Sequence, residues 1–374
     1  MEISLNKIST GFKGERCYVH ARGVILPNGF GVITMQKLEL SGSDIFYGIE
    51  MVKTQDFGKT FTPPTPCANL SRVYCPDGTS YVMCDATPFY HKATGKIILT
   101  GHMAWYGADN KRLKEVRPIS PLYAVYNEAT GTFDRFKKIE IPNQDEYYLS
   151  GTGCSQIVEC AGGELIIPFY YTPKNTEPAR HEHFSAALMR CSFDGEDIKM
   201  LELGSSLTNN VARGFCEPSV VSYGNEYFLC LRNDKSGYVA KSSDGLNYST
   251  PIELCFDNGE NLGSYNTQQH WLVGGGKLWL VYTRKAGDNG HIFRHRAPLY
   301  IAEVDPERLC VKADTEMIAV PKRGARLGNF GCQSFTDGIG YVFAAEWMQD
   351  HNRGWQGCVE NGSDNSIFIS KILF

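Results

Sequence analysis

Helical periodicity is almost missing from this chain, and so is any imbalance of charge. Lys plus Arg number 37 against 41 for Asp plus Glu, a net charge of −4 with no basic run. That argues against nucleic acid or an anionic membrane as the main partner. No apolar stretch approaches the roughly 18 residues of a membrane span. There is no Gly-rich phosphate loop, no GxSxG elbow and no HExxH. Nucleotide-dependent enzymes, α/β-hydrolases and zinc proteases therefore lose their sequence support, and no cofactor is implied. His181-Glu182-His183 is a short, loop-like cluster far from other histidines in sequence, so no metal is expected. The opening residues Met1–Lys7 lack a basic segment followed by an apolar one. The expected location is cytoplasmic, or extracellular if a leader has been removed.

Cysteine is not scarce, but its pattern is uninformative as a framework. The 13 cysteines are an odd number and none forms a CxxC. Most sit among apolar or β-branched neighbours and read as reduced core residues. Cys67 and Cys75, in a Pro-rich loop, are the candidates for an exception.

What recurs is a short apolar or alternating run, a turn of Gly, Asp or Asn, and a second run, the signature of an all-β protein. Units of this kind begin near residues 22, 85, 155, 217, 270 and 332, a mean spacing of about 62. Each leaves room for two further strands. Four strands per repeat, closed into a ring, make a six-bladed β-propeller, and residues 1–374 then form one such domain. The strand Ser366–Phe374 is expected to pack near Ile3–Ile8 and close the ring.

One rim of a propeller's central channel collects the residues that open and close its strands, and here those positions are polar. They include His20, Arg22, Asp85, Glu217, Gln269 and His270 at strand openings, and His102, Tyr170, Arg232, Arg284 and Glu346 at closings. Asp44 and Arg296 open third strands. Several guanidiniums crowded on one axis repel one another, as do several carboxylates, unless a ligand uses them, which points to a functional funnel. Asp85 and His102 form a candidate proton-transfer pair. Gln269 and His270 beside Trp271 suit sugar hydroxyls against an apolar ring face. Glu346-Trp347 offers an acid next to a stacking platform, or an ion-pair partner for an arginine. The cationic stretch His291–Arg296 reads as a loop over the funnel.

Two segments, Thr54-Gln55-Asp56-Phe57-Gly58-Lys59-Thr60-Phe61 and Ser242-Ser243-Asp244-Gly245-Leu246-Asn247-Tyr248, place a hydroxyl, an Asp, a Gly and an aromatic after a strand. They resemble the Asp-box (BNR) repeats of the sialidase superfamily, where such turns are structural. Arg22-Gly23-Val24-Ile25-Leu26-Pro27-Asn28-Gly29, Glu217-Pro218-Ser219-Val220-Val221 with Arg232, and Arg296 before its strand also look like sialidase segments. The resemblance implies that Arg22, Arg232 and Arg296 clamp a carboxylate. It further implies that Asp44 is the acid/base and that Glu217 is the base for a nucleophile. Sialidases use a Tyr nucleophile in the last blade, where this chain has Phe330. Tyr47, Tyr106, Tyr170 and Tyr282 are the candidate phenols to replace it by reaching in from elsewhere. The expected function is sialidase-like hydrolysis of a terminal acidic sugar, with a carbohydrate as partner. A uronic-acid lyase and a non-catalytic glycan-binding propeller are the alternatives.

Overall fold

The computed structural model describes residues 1–40, 44–176, 183–350 and 353–374. Six antiparallel sheets are arranged as the blades of a β-propeller, which makes the fold all-β and six-bladed. The innermost strands are Arg16–Ile25, Ser80–His91, the broken pair Leu149–Gly151 and Val158–Glu159, Cys216–Tyr223, His270–Gly274 and Gly331–Thr336. Each pairs with a second strand across a Gly-containing turn, and a third follows outside it. The strands are rich in β-branched and aromatic residues because most are covered on both faces by neighbouring blades.

The sixth blade is completed from the other end of the chain. Glu2–Ile8 pairs antiparallel with Ile367–Leu373, in a register running from Glu2 opposite Leu373 to Ile8 opposite Ile367. Buried Asn365 ties this blade to the first. Its Oδ1 accepts from Tyr18 N at 2.8 Å, and its Nδ2 donates to Tyr18 O at 2.8 Å and to Glu346 O at 2.7 Å.

The innermost strands of the first two blades start earlier than their polar residues suggested, at Arg16 and Ser80. His20 and Asp85 lie inside these strands, each at a break in pairing register, between Val19 and Arg22 and between Cys84 and Thr87. Glu217 sits at the same kind of break, between Cys216 and Ser219. All three have left-handed backbones, with φ of 59°, 53° and 46°. A bulge of this kind re-aims one side chain out of the strand's alternation.

The segments at Asp56 and Asp244 fold into the same turn. Asp244 Oδ1 accepts from the backbone N–H groups of Leu246 and Asn247 at 2.8 and 2.7 Å and from Ser242 Oγ at 2.8 Å. Asp56 Oδ1 accepts from Thr54 Oγ1, Lys59 N and Thr60 N. All 13 cysteines, Cys67 and Cys75 included, are unpaired. Among the described residues no helix is long and apolar enough to cross a membrane.

Asn365→Ala strips three buried backbone groups of their partner and is expected to lower unfolding free energy by about 2–4 kcal/mol. Asp244→Ala, at an exposed turn, is expected to lose only about 1–2 kcal/mol. Urea titrations showing the reverse order would contradict this reading of the closure.

Candidate active site

A left-handed residue recurs once per blade at the axis: His20, Asp85, Cys154, Glu217, Asn266 and Asn329, with φ between 46° and 68°. None is glycine, so each conformation carries strain of about 1–3 kcal/mol that the surroundings must offset. At this end of the channel opens a cavity of about 320 Å³, enough for a monosaccharide-sized ligand.

Asp85 is its hub. The carboxylate is 9% exposed, with His20 Nδ1 at 3.0 Å, Cys154 Sγ at 3.1 Å, Asn329 Nδ2 at 3.4 Å, and Arg22 Nη2 and His102 Nε2 at 3.9 Å. Burial alone would raise its pKa, but interaction with His20, His102 and Arg22 holds it well below the usual carboxylate range. Asn329 Nδ2 lies 3.2 Å from His20 Nε2 and donates to it, which leaves the His20 proton on Nδ1, facing Asp85. Burial pulls His20 down to about 4 despite that carboxylate, so the ring is neutral at pH 7.

His102 faces the other oxygen of Asp85. Its Nε2 is 3.3 Å from Cys84 Sγ and its Nδ1 is 3.5 Å from Tyr170 Oη. Gly153 presses on the ring so closely that a Cβ there would lie 2.0 Å from Nδ1. Tyr170 is the phenol that lines the cavity. Burial pushes it well up, and the Glu217 charge adds to the effect. The other three phenols lie elsewhere. Tyr47 bonds Glu39, Tyr106 donates to the Asp44 carbonyl, and Tyr282 donates to Glu316. Phe330 is fully buried against His270.

The opposite wall is cationic. Arg232 forks onto Glu217 Oε1 and Asn266 Oδ1. Burial works against its charge, but Glu217 outweighs that and raises its pKa. Gln268, with its amide turned to satisfy both ends, donates to Glu217 Oε2 at 3.3 Å. Arg296 donates to Asn329 Oδ1 at 3.1 Å and to the Asn266 carbonyl. Arg326 is stacked against Trp347, 3.4 Å from the ring centroid, with Phe293 at 4.9 Å on another side. Burial, together with nearby guanidiniums, pulls Arg296 and Arg326 down, the latter to about 9. Arg112, Arg213 and Arg294 complete the set, and Asp44 lies on the rim near Arg326.

Seven of the residues singled out from sequence therefore line one cavity: His20, Asp44, Asp85, His102, Glu217, Arg232 and Arg296. Five do not. Arg22 is fully buried beneath the floor, donating to the Phe330 and Ala86 carbonyls at 3.0 and 3.4 Å, because the bulge at His20 turns it under the site. The third guanidinium at the wall is Arg326, from an irregular segment with no strand pattern to mark it. Gln269 is buried against Ser264 and the Thr267 carbonyl, so its neighbour Gln268 is the amide at Glu217. His270 is closed between Ser219 Oγ at 2.8 Å and the Phe330 carbonyl at 3.1 Å. Arg284 forms a two-pronged pair with Glu316 at 2.9 and 2.7 Å, away from the axis. Glu346 is 1% exposed and paired with Arg323, although the adjacent Trp347 does line the cavity. His181 and Glu182 lie outside the described residues.

Cys84, Asp85 and His102 bring a thiol, a carboxylate and an imidazole within 4.8 Å of one another. Burial keeps the Cys84 thiol protonated, and Arg22 and Arg112 bear on the other two groups. The cluster suits proton traffic better than a cation.

No family model and no curated protein matches the chain. Solved structures do. A Dyadobacter fermentans protein of unknown function matches with a TM-score of 0.65 at 13% identity, covering 99% of both chains. The Hadza microbial sialidase Hz136 matches at 0.62 and 12% identity, over 96% of this chain and 66% of its own. A Trypanosoma rangeli sialidase matches at 0.60 and 12% identity, over 99% of this chain and 59% of its own. The protein thus has a sialidase-like six-bladed β-propeller fold, and it spans about three fifths to two thirds of the length of these sialidases.

Burial also lowers His270, to about 3. His20 and His270 are both depressed from 6.5, so as pH falls the unfolded chain takes up protons before the folded one does. Their contribution is whole above about pH 6.5 and is lost as pH falls towards 4. We expect unfolding free energy to drop by roughly 2–5 kcal/mol between pH 6.5 and 4.5. His270→Gln should flatten that slope. An unchanged slope in the variant, measured by urea unfolding, would exclude His270 as a contributor.

Proposed function

We propose that this propeller is a glycoside hydrolase acting on an acidic sugar. The observation that carries the reading is the division of one cavity into two halves. Blades four to six present Arg232, Arg296 and Arg326, whose Nε atoms are buried with no partner among the described residues. Blades one to three present Asp44, Asp85, His102 and Tyr170. Guanidinium forks match a carboxylate in shape and charge, so the sugar's acid group goes to the first half and its glycosidic bond faces the second. In this reading Asp44 protonates the leaving oxygen or activates water. Glu217, held by Arg232 and Gln268, stabilises charge developing on the sugar. Tyr170 is the nucleophile candidate, with His102 and the Asp85 carboxylate behind it to receive its proton.

The contact between His102 and Tyr170 also favours a second reading. An imidazole and a phenol 3.5 Å apart, facing guanidiniums that neutralise a carboxylate, could take the α-proton of a uronic acid and eliminate the 4-linked sugar. The two readings separate by product. Hydrolysis adds one water, whereas elimination leaves an unsaturated uronate that absorbs in the ultraviolet.

The test is a screen of aryl glycosides of sialic, deoxy-keto and uronic acids, together with 4-linked uronic oligosaccharides, with products identified by mass. On the substrate found, Asp44→Asn is expected to lower kcat/KM by about 10²–10⁴. Arg296→Gln should lower it largely through KM, and Tyr170→Phe should abolish turnover. Full activity in both Asp44→Asn and Tyr170→Phe would remove this assignment.

A further inference from the structure

The cationic half of the cavity holds more charge than one carboxylate can neutralise. Glu217 pairs with Arg232 and Asp234 with Arg213. Among the described residues, no carboxylate lies within ion-pair distance of Arg294, Arg296 or Arg326. Among the described residues, counting Arg22 beneath the floor and Asp234 beside Arg213, seven guanidiniums stand against four carboxylates, Asp44, Asp85, Glu217 and Asp234. The histidines do not change the excess of three, since burial keeps His20 neutral.

These guanidiniums repel one another at close quarters. Arg296 and Arg326 are each 2% exposed, and Arg294 stands at the mouth on a left-handed backbone, φ 54°, between Phe293 and His295. Concentrating unpaired positive charge in a partly dehydrated wall is unfavourable unless a ligand removes it. A monoanionic sugar seated on Arg296 and Arg326 would leave Arg294 unmatched at the entrance.

We propose that the ligand carries two anionic groups: a carboxylate held deep in the cavity by Arg296 and Arg326, and a second oxyanion held at the mouth by Arg294. The second group is a sulfate on the same sugar or the carboxylate of the next one. Both offer the planar or tripodal oxygens that a guanidinium fork engages. The proposal rests on the reading of the cavity as an acidic-sugar site, and it narrows the substrate to doubly charged glycans.

Binding tests it independently of turnover. Calorimetric titration at fixed ionic strength compares glucuronic acid with its 2-sulfate, its 3-sulfate and a disaccharide of two uronic acids. At least one doubly charged probe is expected to bind about 10-fold or more tighter than the monoanion. Arg294→Gln should cut that ratio to below about 3, and Arg294→Lys, which keeps the charge but not the fork, should give an intermediate ratio. The sulfated and disaccharide arms tell the two sources of the second charge apart. Equal affinity for all probes, or an Arg294→Gln ratio unchanged from the parent, overturns the proposal while leaving an acidic-sugar site intact. Binding of no acidic sugar overturns both. Tight, doubly charged binding without turnover sinks hydrolysis alone.

Discussion

The burial of one carboxylate at the propeller axis organises the rest of this site. An ionised group removed from water is tolerated only when donors and opposite charge surround it. Asp85 gathers that company from four blades: His20 and Arg22 from the first, His102 from its own, Cys154 from the third and Asn329 from the sixth. Elsewhere the blades meet largely through apolar faces, which are forgiving of small rotations, pinned by a few side-chain amides such as Asn365, Gln156 and Gln333. The hydrogen bonds from Cys154 and Asn329 to Asp85 are directional, and the charge contacts with His20, Arg22 and His102 draw the inner ends of the blades to the same point. Burial holds both neighbouring imidazoles, His20 and His102, neutral at pH 7 even though the Asp85 charge favours their protonated forms.

The same demand explains the ring of left-handed residues. A strand running straight to the axis would alternate its side chains between blade faces and aim none of them down the channel. In blades one, two and four a bulge with positive φ turns one residue inward, and in the other three a left-handed residue just outside the paired strand takes that place. Five of the six residues in the ring are polar and the sixth, Cys154, donates to Asp85. Strain at each is offset by a bond it makes: Asn329 to His20, Glu217 to Arg232, and Asn266 to Arg232 and Arg296. Fold and site are thus one construction.

Repetition is what made the fold readable from sequence. Six run-turn-run units in near-even register leave few architectures open, and the pairing of the two termini follows from a last blade one strand short. The polar residues at Asp44, Asp85, His102, Glu217, Arg232 and Arg296 stood out for a similar reason, because each interrupts an apolar run at a strand end. Arg22 and Gln269 misled because a place at a strand opening does not say which face a side chain takes: the break in register before Arg22 turns it under the site, and Gln269, just ahead of its strand, turns into the interior. Arg284 and Glu346 misled because their partners, Glu316 and Arg323, are distant in sequence or lie on a different element. Arg326, Arg112 and Arg294 belong to irregular segments, where nothing in the pattern says which way a side chain turns. Local sequence marks where a strand is interrupted, whereas only the closed ring decides which interruptions face the same space.

The position of the phenol is where this cavity parts from the sialidase pattern that its sequence resembles. The last-blade residue is Phe330, sealed at 0% exposure, with the His270 ring 4.9 Å from its own. An added hydroxyl there would have no open space to reach. The phenol lining this cavity, Tyr170, comes from the third blade, with His102 at its oxygen, and burial together with the Glu217 charge raises its proton affinity. Under the proposed function, a group that attacks or takes a proton from the third blade would meet a sugar ring from a different side than one on the sixth, with the acid group still directed to the guanidiniums of blades four to six. Anchor and reacting group would then be carried on separate blades, a separation a propeller permits because inward-turned residues from every blade reach the same axis.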